Sequence, residues 1–158
     1  MANSEKTTRD NETQVFTTMT DFTGLYDIRD MQELDKNFII ASFLNGNYYG
    51  NSWFNMIDKS VFMQNYKQVI EHFINSPNFT VKIACPSDDH SIIIGYSILS
   101  ADYQGIMWVY VKKDWRNKRV GTNLLPQFPT YVTHLTDSTK DLVKQKFPNI
   151  VFNPFAIK

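Results

Sequence analysis

The sequence predicts an α/β domain on a mixed sheet (α+β mixed sheet), and three observations carry that expectation. Strand-like and helix-like segments follow one another as strand, two helices, three strands, helix, strand, helix, strand. The three consecutive strands are joined by short turns, which makes them hairpin neighbours; the later strands are separated by helices, which makes crossovers. The length of 158 residues, with 42% hydrophobic and 20% charged residues, suits one ordinary soluble domain.

Residues 1–20 are rich in Ser, Thr, Asn and charge and read as a flexible tail, which leaves 21–158 as a single domain. "GLYDIRD" (24–30) alternates as a short strand. Asp30 with Glu33 forms a capping-box pattern for a helix through "MQELDKNFIIASFL", expected to stop at the "NGN" of 45–47. In "SVFMQNYKQVIEHFINSP" (60–77), Phe62, Tyr66, Val69, Ile70, Phe73 and Ile74 share one helical face, and Pro77 ends the run. "FTVKIAC", "SIIIGYSIL" and "IMWVYVK" alternate as strands, the first two joined by the turn "PSDDH". "VGTNLLPQF" is a short helix cut off by Pro126 and Pro129. "TYVTHL" is a further strand, Ser138 with Asp141 caps a helix over "TKDLVKQKF", and "IVFNPF" closes as an edge-like strand that could pair with a second copy.

Lys and Arg number 16, as do Asp and Glu, so no bulk attraction to nucleic acid or an anionic membrane is expected. Cys85 is the single cysteine, and His72, His90 and His134 are scattered, so no metal site is predicted. The start "MANSEKTTRDNETQ" is too polar for a signal peptide, no apolar run reaches membrane-spanning length, and an intracellular setting is expected. The 15% aromatic share reads as a core rich in Phe and Tyr.

Against this neutral background, "WVYVKKDWRNKRVGTNLLP" (108–126) stands out. A strand that enters a helix through a tight turn leaves the helix's first amides unpaired, and the helix dipole adds positive potential there. Gly121 has no Cβ to keep a ligand from the backbone, and Arg116, Lys118 and Arg119 add charge. The stretch is either a diphosphate-sized anion site or a solvated basic turn.

The segment "VKKDWRNKRVGTNLL" resembles the acyl-CoA-binding stretch of the GNAT acetyltransferase superfamily, roughly V-x-P-x-x-[RQ]-x-x-G-x-[GA]-x-x-L. Val111 matches the strand valine, Arg116 the Arg/Gln position, Gly121 the second glycine, and Leu124 and Leu125 the helix leucines. Lys113 stands where the family has proline and Arg119 where it has its first glycine. "YDIRD" resembles the family's opening strand. The resemblance implies a GNAT-like acyl-CoA N-acyltransferase fold with a shortened CoA-turn helix. It implies acetyl-CoA, or another acyl-CoA, as co-substrate. Its pantetheine arm would lie on the backbone of Val109, Tyr110 and Val111, and its diphosphate beside Arg116 in the turn of Asn117, Lys118, Arg119, Val120, Gly121 and Thr122. "YVKKDWRNKRVGTNLL", "VTHLT" and "FNPF" together also resemble small GNAT-like proteins of tailed bacteriophages. That implies the cytoplasm of an infected bacterium or the virion as location, and a virion or host protein as partner.

Acetyl transfer to an amine needs a base, a proton donor for the thiolate, and polarisation of the thioester. The family's base is often a Glu on the strand before the turn, and its donor a Tyr in the last helix. "GIMWVYV" has no carboxylate and "STKDLVKQKFPNIVF" no Tyr. The catalytic candidates are therefore His134, on the strand expected to splay from its neighbour, Tyr110 within the preceding strand, and Asp102 just upstream. His134 also reads as a hydrogen-bonded structural histidine, the more common use of such a residue. "NYYGNSWF" (47–54) joins the first two helices, where the resemblance places the acceptor cover. Two functions follow: an acyl-CoA-dependent N-acyltransferase acting on an unidentified amine, or a degenerate member of the fold that works by binding.

Overall fold

The computed structural model describes residues 24–157, so the tail expected over 1–20 lies outside the described residues. Six strands form one sheet in the order of the sequence. These are β1 (Tyr26–Asp30), β2 (Phe79–Pro86), β3 (Gly95–Ser100), β4 (Gly105–Val111), β5 (Tyr131–Val132) and β6 (Val151–Phe152). The first four pair antiparallel; β5 joins β4, and β6 joins β5, in parallel. The sheet is mixed, as the turn lengths predicted.

Helices cover both faces. α1 (Lys36–Tyr49) and α2 (Lys59–Asn75) pack Ile39, Phe43, Ile70 and Phe73 against Ile83, Tyr96, Ile98 and Trp108. On the other face, α3 (Val120–Leu124) sets Val120 and Leu124 against Tyr26, Ala84 and Ile94. α4 (Lys140–Lys146) brings Val143 to a smaller cluster around Leu99, Ile106 and Val132. All six residues of β3 are therefore buried, and its serines need internal partners. Ser97 Oγ donates to the Leu124 carbonyl at 2.7 Å, while Ser100 Oγ accepts the Gly105 amide at 2.8 Å.

Several boundaries differ from expectation for physical reasons. Asp30 ends β1 and pairs with Lys82 at 2.6 Å instead of capping a helix. The chain enters α1 through a 3₁₀ turn, Glu33–Asp35, whose Asp35 carboxylate accepts the Gln32 amide at 2.7 Å and binds Arg29 through both oxygens at 2.7 and 3.0 Å. α1 runs through 45–47 to Tyr49, and a Cβ on Gly46 would stand 3.0 Å from Trp108 Cζ2. That glycine serves close approach to the sheet; it does not end the helix. α4 is entered through Thr139, whose hydroxyl accepts the Thr136 amide at 3.0 Å, and not through a Ser138–Asp141 cap. β3 starts at Gly95, later than "SIIIGYSIL" suggests, although Ile94 still donates to Ala84 at 2.9 Å. No described helix is long and apolar enough to cross a membrane.

Candidate functional site

The site is built on β4 where it loses its neighbour. β5 pairs only with Gly105 and Ile106, followed by the Thr133 amide donating to the Ile106 carbonyl at 3.0 Å. Beyond that point β4 continues to Val111 with no strand on this side among the described residues. The Lys112 amide donates to Ile94 at 2.8 Å, toward β3. Strand alternation then turns the peptide groups of Tyr110 toward β3 and those of Val109 and Val111 toward the opening. The Val111 carbonyl is taken by Arg116 Nε at 3.2 Å. Tyr110 opposes Tyr96 in the β3 ladder, and its ring contacts Tyr96 and Phe38 at centroid distances of 5.5 and 6.0 Å.

At the end of β4 the chain makes a 3₁₀ turn, Lys113–Trp115, and reaches α3 through two left-handed residues, Asn117 (φ 62°) and Arg119 (φ 60°). Arg119 holds the conformation glycine adopts freely, at a cost of about 1 kcal/mol for a side chain with Cβ. This accounts for a glycine at that position of the family pattern. Among the described residues, the amides of Asn117, Lys118, Val120, Gly121 and Thr122 make no backbone hydrogen bond. The turn is held from the core side: Tyr26 donates its hydroxyl to the Lys118 carbonyl at 3.2 Å and accepts from Asn123 Nδ2 at 2.7 Å. Burial pushes the Tyr26 phenol's pKa up, which keeps it a donor. A Cβ on Gly121 would meet only Val111 Cγ2, at 3.5 Å. Arg116 and Arg119 are exposed here. Lys146 of α4 lies close by: burial and then Arg119 lower its ammonium pKa.

The catalytic candidates sit apart. Asp102 lies in the turn before β4, accepting from Ser100 Oγ at 2.6 Å and from the Gln104 amide at 3.0 Å, which hold its carboxyl below the usual range. From Gly105 to Tyr110 the strand rises roughly 17 Å, so Asp102 and Tyr110 belong to opposite ends of β4. His134 follows β5 on the α1–α2 side of the sheet. Its ring contacts Phe43, Tyr66 and Phe73 edge-on, at 5.8, 6.1 and 5.8 Å, and its Nδ1 lies 2.8 Å from Thr133 Oγ1. Loss of solvent lowers its pKa to about 4, against a backbone hydrogen bond with Met107 that raises it. The imidazole is neutral at pH 7.

His134 borders a cleft of about 140 Å³ between the helix pair and the C-terminal segment, with Asn47, Asn51, Phe54, Tyr66 and Phe152 also on its wall. The "NYYGNSWF" stretch divides here. Tyr48 is core, donating its hydroxyl to the Ile57 carbonyl at 2.9 Å; Asn47 and Phe54 face the cleft; Trp53 is exposed. Sequence reasoning missed Asn47, because an Asn beside a Gly reads as a helix end. The remaining residues singled out earlier lie elsewhere. Cys85 is buried, its thiol pKa pushed up by burial. His72 contacts Phe79 at 5.4 Å, and His90 pairs with Asp27 at 2.7 Å. Among the described residues no group of three or more His, Cys, Asp or Glu is placed to hold a metal.

No protein-family profile matches the chain, and no curated protein matches it. Solved structures do. A candidate acetyl transferase from Pyrococcus furiosus is similar at 17% identity over 81% of this chain and 81% of its own, with a TM-score of 0.52. A candidate acetyltransferase from Clostridium difficile 630 is 17% identical over 81% and 76% of the two chains, with a TM-score of 0.43. The PaiA N-acetyltransferase from Thermoplasma acidophilum, solved in complex with coenzyme A, is 14% identical over 63% of this chain and 66% of its own, with a TM-score of 0.42. The Pyrococcus furiosus structure carries the likeness, and at such identity the likeness is one of fold. An antiparallel run followed by a parallel pair that parts beyond Ile106, with a basic turn at the end of β4 and a five-residue helix after it, is the mixed-sheet fold that the chain shares with that acetyl transferase.

Proposed function

We propose that the chain is an acyl-CoA-dependent N-acyltransferase that takes acetyl-CoA at the β4–α3 turn and passes its acetyl group to an amine. The single observation that carries this reading is Gly121. A glycine inside a helix costs roughly 0.5–1 kcal/mol relative to Ala. Nothing among the described residues requires it, since a Cβ there would make only an ordinary contact. The amides beside it have no backbone acceptor among the described residues, and the bases Arg116 and Arg119 flank them. An approaching diphosphate accounts for all three features. On this reading the peptide groups of Val109 and Val111 face the pantetheine arm, and Tyr110 acts through its ring. The parting of β4 from β5 admits the acyl end toward His134. The working unit is the domain of 21–158, encoded by a tailed bacteriophage and acting in the infected cell or the virion.

One observation favours the runner-up, a fold that binds without turnover. Among the described residues the cleft holds no carboxylate, and His134 with a pKa near 4 is a weak proton acceptor at pH 7. An amine acceptor must therefore arrive already unprotonated.

The test is thermal unfolding with acetyl-CoA. The wild type gains melting temperature; Arg116→Glu/Arg119→Glu and Gly121→Leu lose the gain, while Gly121→Leu alone melts at or above the wild-type temperature. No shift at millimolar acetyl-CoA overturns the reading. A shift without thiol release in the presence of amines leaves the binding function standing.

A further inference from the structure

We propose that the cleft beside His134 is a binding site for a small uncharged ring bearing a primary carboxamide. Asn47 is the reason. It is 1% exposed, it lies on the cleft wall, and among the described residues neither Oδ1 nor Nδ2 has a hydrogen-bond partner. Leaving a buried donor and a buried acceptor both unmade is costly, and an apolar residue in the last turn of α1 would avoid it. The Thr133 hydroxyl on the cleft wall is committed elsewhere. Thr133 Oγ1 serves His134 at 2.8 Å and Met107 Sδ at 3.5 Å. The Tyr66 phenol, its pKa raised by burial and drawn part of the way back by the nearby Asn47 side chain, stays protonated at neutral pH; the two groups lie near each other but make no hydrogen bond of normal geometry.

Three further observations define the ligand. The cleft's volume of about 140 Å³ matches one six-membered ring, since an apolar cavity of about 150 Å³ admits benzene. The Phe54 and Tyr66 rings, 5.0 Å apart, form an aromatic wall for it. Among the described residues no Asp, Glu, Lys or Arg lines the cleft, and His134 is neutral, so neither a cation nor an anion would find compensation on leaving water. A ligand amide turned toward Asn47 donates to Oδ1 and accepts from Nδ2, completing both groups at once. A single amine or carbonyl completes only one of them. The cleft is whole without coenzyme A, so this site does not depend on the acyl-transfer reading.

The test is calorimetric titration of the chain with benzamide, with no coenzyme A present. Benzamide should bind saturably, and benzoate and benzylammonium at least about tenfold more weakly. Asn47→Leu should lose at least about tenfold in benzamide affinity while melting no lower than the wild type. Should that variant fold poorly, the wild-type Asn47 side-chain amide signals in nuclear magnetic resonance must shift with benzamide concentration. Absence of saturation at several millimolar, equal affinity for benzoate, or unshifted Asn47 signals overturns the proposal. Because acetyl-CoA is tested separately, either reading can fail alone.

Discussion

Among individual residues, His134 shows how burial sets chemistry. Its ring sits among Phe43, Tyr66 and Phe73, where an imidazolium would have no anion and little water. The folded pKa of about 4 lies below the ordinary value near 6.5. Between these values the unfolded chain holds a proton that the native chain does not, so stability falls as pH drops through that window. The loss is on the order of 3 kcal/mol once pH reaches 4. Urea unfolding at pH 7 and at pH 4.5 should show it, and His134→Gln should remove this part of the acid sensitivity while leaving that of the carboxylates. Equal pH dependence in wild type and variant would mean that the ring is solvated in the native state. The sequence showed that a histidine stands in "VTHLT"; it could not show which aromatic rings surround it, since those come from α1 and α2.

For the elements, the legible ones were those whose signal is periodic. α2 carries Phe62, Ile70, Phe73 and Ile74 inward, the face its spacing predicted, and it starts at an Asp58 whose carboxylate accepts the Ser60 and Val61 amides. α1 was legible in type but not in extent, because Gly46 answers to Trp108, a residue far along the chain. A larger side chain there must push helix and strand apart. Gly46→Val should therefore cost about 2 kcal/mol in chemical unfolding, within the range for overpacked contacts. A neutral effect would show that Trp108 has room to move. β5 has two residues, although "TYVTHL" has strand character throughout and predicts a longer strand. What shortens it is the parting from β4 after Ile106, a property of the pair and not of either segment.

Across the molecule, distant segments are tied by a few polar clusters. Arg29 on β1 binds Asp35 before α1 through both oxygens and donates to the His90 carbonyl at 3.0 Å, which joins the first strand, the first helix and the β2–β3 connection. Burial would raise the Asp35 pKa, but Arg29 and the Gln32 amide outweigh it and hold the carboxyl below the usual range. Asp35→Ala leaves a largely buried guanidinium without its partner and should cost about 3 kcal/mol, read from the urea midpoint. A loss under roughly 0.5 kcal/mol would mean that water replaces the carboxylate. By itself the sequence determined the element order, the mixed sheet and the basic turn after β4, because hydrophobic period, turn residues and charge are local and survive in one dimension. Only the tertiary structure decided that the Val109 and Val111 peptide groups face an opening, that Arg119 holds a left-handed conformation, and that Asn47 is buried without a partner. Each of these depends on which surfaces meet after the chain folds, and burial and hydrogen-bond completion are properties of that meeting.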